Sequence, residues 1–407
     1  MSTFFWTIPA LNIKNLNRHA ILDLIRFTPG GIARVDLARQ LGLTRAAVTE
    51  IVNDLMKARV VREMNNQKAG GRIPVELEVN PEFGKVVGVD MGATHVTLIL
   101  ADSSAHVIKE LEFDLDINLG PEKCLKQVDE NYCELLSNSG LAKSDIKAVG
   151  FGVPGPVVSD IGIVDAPPIM PGWSRFPIRD YLQKNWGVQV SLNNDAELGA
   201  LGEWAYGAGR GEHNLCYLKV GTGVGAGILL EGQIYRGTTG TAGEIGHMTI
   251  DENGPKCSCG NRGCLEAFTG GRAIAQKAMD VVRSGERTDL ANIKPVENIT
   301  LKDVVAAARR GDLISQQLFK ESGTHLGTAI AGMVNLFNPS MVVIGGGVSQ
   351  IGDLLLEPIR HTVQQRSLLV ASQAVRITSA LLGRRSSGIG AVVQANSIVL
   401  HQHIERI

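Results

Sequence analysis

The chain has 407 residues, a net charge of −1 and ordinary contents of apolar, charged and glycine residues. This composition excludes a fibre or a largely disordered chain and suits two or three globular domains. No apolar stretch approaches the roughly 20 residues that span a bilayer, and residues 2–13 lack the basic region of a signal peptide. We therefore expect a cytoplasmic protein without a membrane partner. Residues 1–78 hold eleven Lys and Arg against seven Asp and Glu, so a contact with nucleic acid is expected there.

Three short helices are predicted near the N-terminus. Apolar residues recur at helical spacing over residues 16–27 and again over 35–41, where Gly42 favours a left-handed C-cap. Thr44 is the expected N-cap of a third helix, whose buried stripe consists of Val48, Ile51, Val52 and Leu55. Short polar groups and an arginine on the opposite face suit the base edges and phosphates of a DNA major groove. The candidate DNA contacts of this helix are Thr44, Arg45, Ala46, Thr49 and Asn53.

A β-hairpin is predicted after the third helix. Residues 60–63 and 75–77 are typical of two strands, and the segment between them is polar and glycine-rich, as in the wing of a winged helix. Arg72 follows two glycines, and an arginine there suits a narrow A/T-rich minor groove. Residues 1–80 are therefore predicted to form a winged helix-turn-helix domain that binds double-stranded DNA. A module that docks another protein is the alternative.

Glycine turns after apolar strands are the main signal in the rest of the chain. They lie at residues 90–94, 221–225 and 345–347. Without a Cβ, backbone N–H groups can approach a phosphate closely, and a threonine adds a hydroxyl donor. The repeated turns predict two α/β lobes of a sugar-kinase-type ATPase with a nucleotide between them. The candidate nucleotide-binding residues are Asp90, Gly92, Thr94, Gly221, Thr222, Gly223, Gly345 and Gly346.

Asn194 and Asp195 end an apolar strand and open a helix. In a sugar kinase, an aspartate at this place accepts the proton of the hydroxyl that attacks the γ-phosphate, and Asn194 would hold a neighbouring hydroxyl. An Asn-Asp pair at a strand–helix junction is often only a helix cap, and that alternative stays open.

One histidine and three cysteines within eighteen positions form a candidate metal site. One imidazole and three thiolates satisfy tetrahedral zinc, and four protein ligands leave no position for a catalytic water, so a structural zinc is expected. The candidate ligands are His247, Cys257, Cys259 and Cys264. The flanking carboxylates Glu244 and Glu266 would lie nearby and suit sugar hydroxyls. Surface cysteines unrelated to the histidine are the alternative.

These residues resemble the ROK family, named for repressors, open reading frames and kinases, and in particular its repressor branch. The most specific part is Glu244-x-x-His247 combined with Cys257-x-Cys259-x4-Cys264, and the similarity extends over nearly the whole chain. The resemblance implies an α/β, actin-like (ribonuclease H-like) sugar-kinase ATPase fold after the winged helix-turn-helix. Its lobes would comprise residues 81–200 and 201–407, with the C-terminal helix returning to the first lobe. The implied sugar contacts are Asn194, Asp195, Glu244, His247 and Glu266, with Asp195 at the position of the catalytic base.

The resemblance favours a sugar-responsive, DNA-binding transcriptional regulator, and in particular a repressor of carbohydrate uptake or catabolism genes. The implied partners are an A/T-rich palindromic operator, a sugar effector in the cleft, and further copies of the chain in a homodimer or homotetramer. An ATP-dependent sugar kinase with an accessory DNA-binding domain is the alternative. Asp195 permits it, whereas Ala93 and His95 stand where kinase members carry glycine and lysine, so binding of ATP and Mg²⁺ stays open. A sensor that docks a protein partner is a third hypothesis.

Overall fold

The computed structural model describes residues 13–64 and 75–406. Its N-terminal elements are α1 Ile13–Phe27, β1 Ile32–Ala33, α2 Arg34–Leu41, α3 Arg45–Lys57, β2 Val61–Glu63 and β3 Glu76–Val79. The next elements are β4 Lys85–Met91, β5 His95–Asp102, β6 Val107–Asp114, α4 Pro121–Ser137, β7 Ile146–Val153, β8 Val157–Val158, β9 Ile163–Val164, α5 Ile178–Trp186 and β10 Gln189–Asn194.

The C-terminal half begins with a helix that directly follows β10. Its elements are α6 Asp195–Tyr206, β11 Leu215–Val220, β12 Val224–Leu230, β13 Gln233–Ile234, α7 Leu265–Thr269, α8 Gly271–Ser284, α9 Leu301–Arg309, α10 Leu313–Phe337, β14 Met341–Gly345, α11 Asp353–Arg366, α12 Leu369–Ala374, β15 Arg376–Ser379 and α13 Ser386–Ile404. Among the residues described, no helix combines the length and hydropathy needed to cross a membrane.

The N-terminal module has three helices and a small antiparallel sheet in the order β1-β3-β2. The apolar stripe predicted for α3 is buried in the module core, as the 3.6-residue period requires. Gly42 adopts the left-handed conformation at φ 65° and ends α2, and the Thr44 side chain accepts the N–H of Ala47 at 3.2 Å. These local predictions are confirmed. Strand β1 was not predicted, because two residues are too few for a recognisable period.

Two five-stranded sheets form the body, in the orders β10-β7-β4-β5-β6 and β13-β12-β11-β14-β15. Each sheet combines an antiparallel three-stranded meander with two parallel strands. The inner strands β4 and β11 are mostly apolar and buried, since helices cover both of their faces. The repeated topology is the two-lobed actin-like arrangement expected from the repeated glycine turns, so the predicted fold class is confirmed.

Helices α6 and α13 form the joint between the two sheets. Helix α13 packs on β4 and β7 of the first sheet, α6 packs on β11 and β12 of the second, and the two helices cross each other. A Cβ on Gly390 would lie 1.7 Å from the carbonyl oxygen of Leu198, and one on Gly202 would lie 2.1 Å from that of Ser386. The helices therefore touch backbone to backbone. The boundary placed at residue 200 falls inside α6, which is continuous across that position.

The N-terminal module shares its core with the far end of α13. Leu400 and Ile404 of α13 are buried in the same apolar cluster as Ile21 and Leu22 of α1. A single helix thus contacts the first sheet, the α6 joint and the N-terminal module.

Candidate functional site

A cavity of about 760 Å³ lies between the two lobes, within the volume range of small-molecule sites, about 300–1,000 Å³. Its wall brings together the glycine turns, the β10–α6 junction and the carboxylates beside the cysteine-rich loop. The predicted residues on this wall are Asp90, Gly92, Thr94, Asn194, Asp195, Gly221, Thr222, Gly223, Glu244, His247, Glu266 and Gly346. Gly345 is not among the lining residues; a Cβ there would lie 2.2 Å from the Tyr217 hydroxyl. Its role is therefore to make room for that ring.

Asn194 caps helix α6. Its Oδ1 accepts the N–H groups of Ala196 at 2.8 Å and Glu197 at 3.2 Å, and its Nδ2 donates to the carbonyl of Gly155 at 3.0 Å. One amide N–H of Asn194 is left over for a ligand. Asp195 is the first residue of α6 and lines the cavity. The helix-cap alternative from the sequence thus describes the Asn194 side chain, while Asp195 lies where a ligand can reach it.

Lys219 was not singled out from the sequence, yet it lies at the base of the cavity. Its Nζ lies 2.9 Å from Oδ2 of Asp195 and donates to Oδ1 of Asp90 at 3.1 Å and to Oγ of Ser387 at 3.2 Å. Burial alone lowers the pKa of Lys219, but Asp195 and Asp90 outweigh this effect, and the net shift is upward. The ammonium is therefore charged. One lysine within an otherwise apolar buried strand was the signal available in the sequence.

Two glutamates complete the polar wall. Glu266 accepts the N–H of Val224 at 3.0 Å and the hydroxyl of Ser258 at 3.4 Å, so its carboxylate sits against the second glycine turn. Burial, together with the charges of Asp195 and Glu266, raises the pKa of Glu244 to about 7. Several carboxyl groups that can accept hydrogen bonds thus converge on one cavity, a wall that suits a neutral ligand rich in hydroxyls.

The predicted zinc ligands lie together. One ligand atom from each of His247, Cys257, Cys259 and Cys264 can be chosen so that all four lie within 4.8 Å of one another. Nδ1 of His247 is 3.7 Å from Sγ of Cys257, and Sγ of Cys259 is 3.7 Å from Sγ of Cys264. Tetrahedral zinc with Zn–S bonds of about 2.3 Å separates its ligands by about 3.8 Å. The cluster could therefore hold such a metal ion.

His247 links this cluster to the cavity. While its Nδ1 faces Cys257, its Nε2 lies 4.0 Å from Oε2 of Glu244, and the residue lines the cavity wall. A metal bound through Nδ1 would fix the orientation of the ring and leave Nε2 facing the cavity.

The candidate DNA contacts of α3 are exposed on the face opposite its buried stripe; they are Thr44, Arg45, Ala46, Thr49 and Asn53. The hydroxyl of Thr49 donates to the carbonyl of Arg45 at 2.7 Å, and the hydroxyl of Thr44 caps the helix. Of these five candidates, Arg45 and Asn53 are therefore the ones whose polar side chains remain available to contact DNA. Arg72 lies outside the described residues and stays a prediction.

Comparison with known proteins agrees with the residues assembled here, since residues 86–397 match the model of the ROK family. The chain belongs to the ROK family. A curated relative, the putative xylose repressor of Caldicellulosiruptor sp. (strain Rt8B.4), is 33% identical over 389 residues, which cover 95% of this chain and 97% of the relative. The family assignment made from the zinc-type motif is confirmed.

Two solved structures of ROK proteins match different shares of this chain. A ROK family transcriptional regulator, described as a homologue of the E. coli MLC protein, aligns with a TM-score of 0.79 at 28% identity, covering 97% of this chain and 99% of that one. A ROK family glucokinase from Streptomyces griseus, in complex with glucose and AMPPNP, aligns with a TM-score of 0.69 at 28% identity, covering 77% of this chain and all of that one. The regulator thus matches this chain nearly end to end, whereas the kinase leaves almost a quarter unmatched.

Proposed function

We propose that this ROK protein is a sugar-responsive, DNA-binding transcriptional regulator, and in particular a repressor of genes for carbohydrate uptake or catabolism. The observation that carries the proposal is the combination, in one chain, of an exposed helix-turn-helix face with a polar cavity between two kinase-like lobes. Relatives named as repressors span both parts, which supports the same assignment.

The effector is a sugar bound by Asn194, Asp195, Glu244, His247 and Glu266. Carboxylates and an imidazole can exchange hydrogen bonds with several hydroxyls at once, and these bonds can orient a neutral sugar in the cavity. A structural zinc held by His247 and three thiolates supplies rigidity. A site with four protein ligands leaves no position for a substrate water, so the role of this zinc is structural. The contribution of the zinc is thus to hold His247 and the cysteine-rich loop beside the cavity.

Helix α13 is the proposed connection between sugar and DNA. Ser387 at its start lines the cavity, and Leu400 near its end is buried in the core of the N-terminal module. A sugar that binds one arrangement of the lobes better than another shifts α13 relative to the sheets, and the module follows. The operator partner is a palindromic, A/T-rich duplex bound by a homodimer or homotetramer, with α3 in the major groove and Arg72 at the minor groove.

Sugar phosphorylation is the second candidate, because Asp195 shares its cavity with the glycine turns of a phosphate-binding type. Asp90, Gly92, Thr94, Gly221, Thr222, Gly223 and Gly346 would then surround the nucleotide and its Mg²⁺, and Asp195 would accept the hydroxyl proton. Incubation with ATP, Mg²⁺ and a sugar panel tests this function. ADP production that exceeds that of Asp195→Ala would establish a kinase.

The regulator is tested by a thermal-shift screen of monosaccharides and small oligosaccharides, followed by operator binding with the stabilising sugar. A ligand at one hundred times its Kd stabilises the folded state by about 2.7 kcal/mol, enough for a measurable shift. Two variants separate the functions: Asp195→Ala is expected to lose the sugar response and keep DNA binding, and Arg45→Ala the reverse. A wild-type protein that binds neither sugar nor DNA would contradict the proposal.

A further inference from the structure

Lys219 bridges the two lobes at the base of the cavity. It belongs to β11 of the second sheet, whereas Asp90 lies on β4 of the first sheet and Ser387 at the start of α13. Its ammonium donates to Asp90 at 3.1 Å and to Ser387 at 3.2 Å, and it forms an ion pair with Asp195 at 2.9 Å. The side chains of Lys219, Asp90 and Asp195 are 18%, 4% and 13% exposed. This contact is therefore largely withdrawn from solvent.

The two aspartates around Lys219 need a cation. Two largely buried carboxylates that face a common centre repel each other, and a counter-ion between them removes that cost. In phosphoryl-transfer sites this counter-ion is Mg²⁺, held by one or two carboxylates at about 2.0–2.1 Å together with the phosphates of the nucleotide. The ammonium of Lys219 occupies the space between Asp90 and Asp195 that such an ion would need.

Lys219 also changes what Asp195 can do to a hydroxyl. A carboxylate that is ion-paired with an ammonium is a weaker proton acceptor than the same carboxylate alone, because protonation would break the pair. Burial raises the pKa of Asp195, and Lys219 opposes that rise without reversing it, so the carboxylate is a weaker base than it would be without the ammonium. The carboxylate can still accept a hydrogen bond from a sugar hydroxyl, so binding is kept while proton removal is disfavoured.

We infer that Lys219 is a built-in cation that takes the place of the divalent metal between Asp90 and Asp195, so that the cavity binds its sugar without phosphorylating it. This inference rests on the proposed sugar cavity. It assigns to one residue the separation between a sensor and a kinase built on the same fold, because a fixed single charge cannot recruit and neutralise a nucleotide triphosphate as Mg²⁺ does.

The test compares wild type, Lys219→Met and Lys219→Arg by thermal unfolding with and without millimolar Mg²⁺. The wild type and Lys219→Arg, which keep a cation, are expected to unfold at the same temperature in both conditions. Lys219→Met leaves two buried carboxylates without a counter-ion; it is expected to unfold several degrees lower and to regain most of that loss with Mg²⁺. Equal Mg²⁺ responses in all three proteins, or no response in Lys219→Met, would overturn the inference.

A second measurement applies if Lys219→Met does not fold. Mn²⁺ binding to the wild type and to Asp90→Asn is followed by the electron paramagnetic resonance signal of the free ion. The wild type and Asp90→Asn are expected to bind the same amount of Mn²⁺, because Lys219 already occupies the place of the metal. Mn²⁺ binding that requires Asp90 would show that Lys219 does not exclude the metal. ADP formation by the wild type, lost in Asp195→Ala, would overturn the inference in the same way.

These outcomes are distinguishable from failure of the proposed function. The metal measurements contain no sugar or DNA, whereas the sugar screen contains no added metal. A wild type that is not stabilised by any sugar would contradict the sugar-sensing function. The Mg²⁺ comparison would still test whether Lys219 takes the place of the metal.

Discussion

Arg45 is the first residue of α3, exposed on the face that carries the candidate base contacts. Arginine pairs with guanine edges or phosphates through two parallel N–H donors, and alanine loses both. We expect Arg45→Ala to weaken operator binding by about 1–3 kcal/mol in a gel-shift or fluorescence titration. Arg283→Ala, an exposed arginine on α8 of the body, is the matched control and should bind the operator as the wild type does. Equal affinities of the two variants would remove α3 as the recognition helix.

Cys264 is the fully buried member of the candidate metal cluster. Replacing its thiolate with the hydroxyl of Cys264→Ser removes one of four ligands and leaves a poorer donor for zinc. We expect zinc measured by elemental analysis to fall from about one ion per chain to near zero, and the melting temperature to fall by several degrees. Cys133 lies outside the cluster, so the Cys133→Ser protein is expected to keep the zinc content of the wild type. Full zinc content in Cys264→Ser would mean that the metal, if bound, lies elsewhere.

At the scale of elements, Glu203 fastens α6 to the segment that leads into α13. Its carboxylate is fully buried and accepts four hydrogen bonds at 2.7–3.0 Å. The donors are the backbone N–H groups of Ala208, Leu381 and Leu382 and the hydroxyl of Ser386. The joint between the lobes thus depends on one side chain as well as on close backbone contact.

Removing the Glu203 carboxylate leaves buried hydrogen-bond donors without an acceptor. Glu203→Ala is expected to lower the free energy of unfolding by about 3–5 kcal/mol, because several N–H groups lose their acceptor and water cannot replace it. Urea denaturation measures the change. Glu286→Ala, at an exposed position, should change the free energy of unfolding by no more than about 0.5 kcal/mol. Similar midpoints for both variants would show that the joint does not need Glu203.

The contact between α1 and α13 contains a buried polar cluster. Asp23 of α1 lies 3.2 Å from Nη1 of Arg26 and 3.2 Å from Nε2 of His401 on α13. Arg26 also donates to Oγ of Ser397 at 3.0 Å, and the rings of His19 and His401 are 4.6 Å apart. The partners on α1 and α13 lie more than 350 residues apart in the chain, so the cluster ties the N-terminal module to the body.

This cluster predicts a loss of stability in mild acid. Burial, with a smaller effect of His401, lowers the pKa of His19 from 6.5 to about 4. Between those values the unfolded chain takes up a proton that the folded chain does not, so stability falls as pH decreases from about 6.5 toward 4. The other charged groups that face His19 are Asp23 on its own helix and Glu405, 4.0 Å away at the end of α13.

Urea denaturation at pH 7 and pH 5 checks the acid sensitivity. The wild type is expected to lose about 1–3 kcal/mol between the two pH values, since one unit of pKa shift corresponds to about 1.4 kcal/mol. His19→Gln should lose less, although it starts from a lower stability. Burial raises the pKa of Asp23, but His401 and Arg26 outweigh it and the net shift is downward, so Asp23 titrates below this range. His361→Gln, at an exposed position, should lose as much stability between pH 7 and pH 5 as the wild type does. If His19→Gln also lost as much as the wild type, His19 would be excluded as the cause.

At the scale of the whole molecule, an exposed apolar patch is the surface at which we expect the proposed self-association. Leu336, Leu368, Leu369 and Val370 are 77%, 74%, 68% and 82% exposed. They are neighbours, because Oδ1 of Asn335 accepts the N–H of Leu368 at 3.0 Å. Grouped apolar side chains are common at protein interfaces, and a second copy of the chain is the partner that the proposed palindromic operator would require.

Val370→Glu tests this surface. A charge at the centre of the patch is expected to shift the sedimentation distribution toward monomer and to weaken operator binding about tenfold or more, since two linked modules bind more tightly than one. Leu313→Glu introduces the same charge at an equally exposed position at the other end of α10, about 35 Å away. Unchanged sedimentation of Val370→Glu would place the interface on another surface.

The sequence by itself determined what depends on residues near each other in the chain. The helix stripe of α3, its Thr44 cap and the turn at Gly42 follow from helical period and backbone conformation. The four candidate zinc ligands lie within eighteen positions, so their spacing already limited how far apart they could lie. The two-lobed fold followed from glycine turns that repeat after apolar strands.

Tertiary structure alone decided which distant side chains meet. Lys219 reaches Asp90 across 129 positions and Ser387 across 168, and no local pattern records such pairs. The same is true of α13, which joins the first sheet, α6 and the N-terminal module. Gly345 became a packing position for Tyr217, because the neighbour that fills the space beside it is fixed only when the sheet assembles. Local periodicity specifies elements, whereas the charge balance of a buried cavity depends on every chain segment that reaches it.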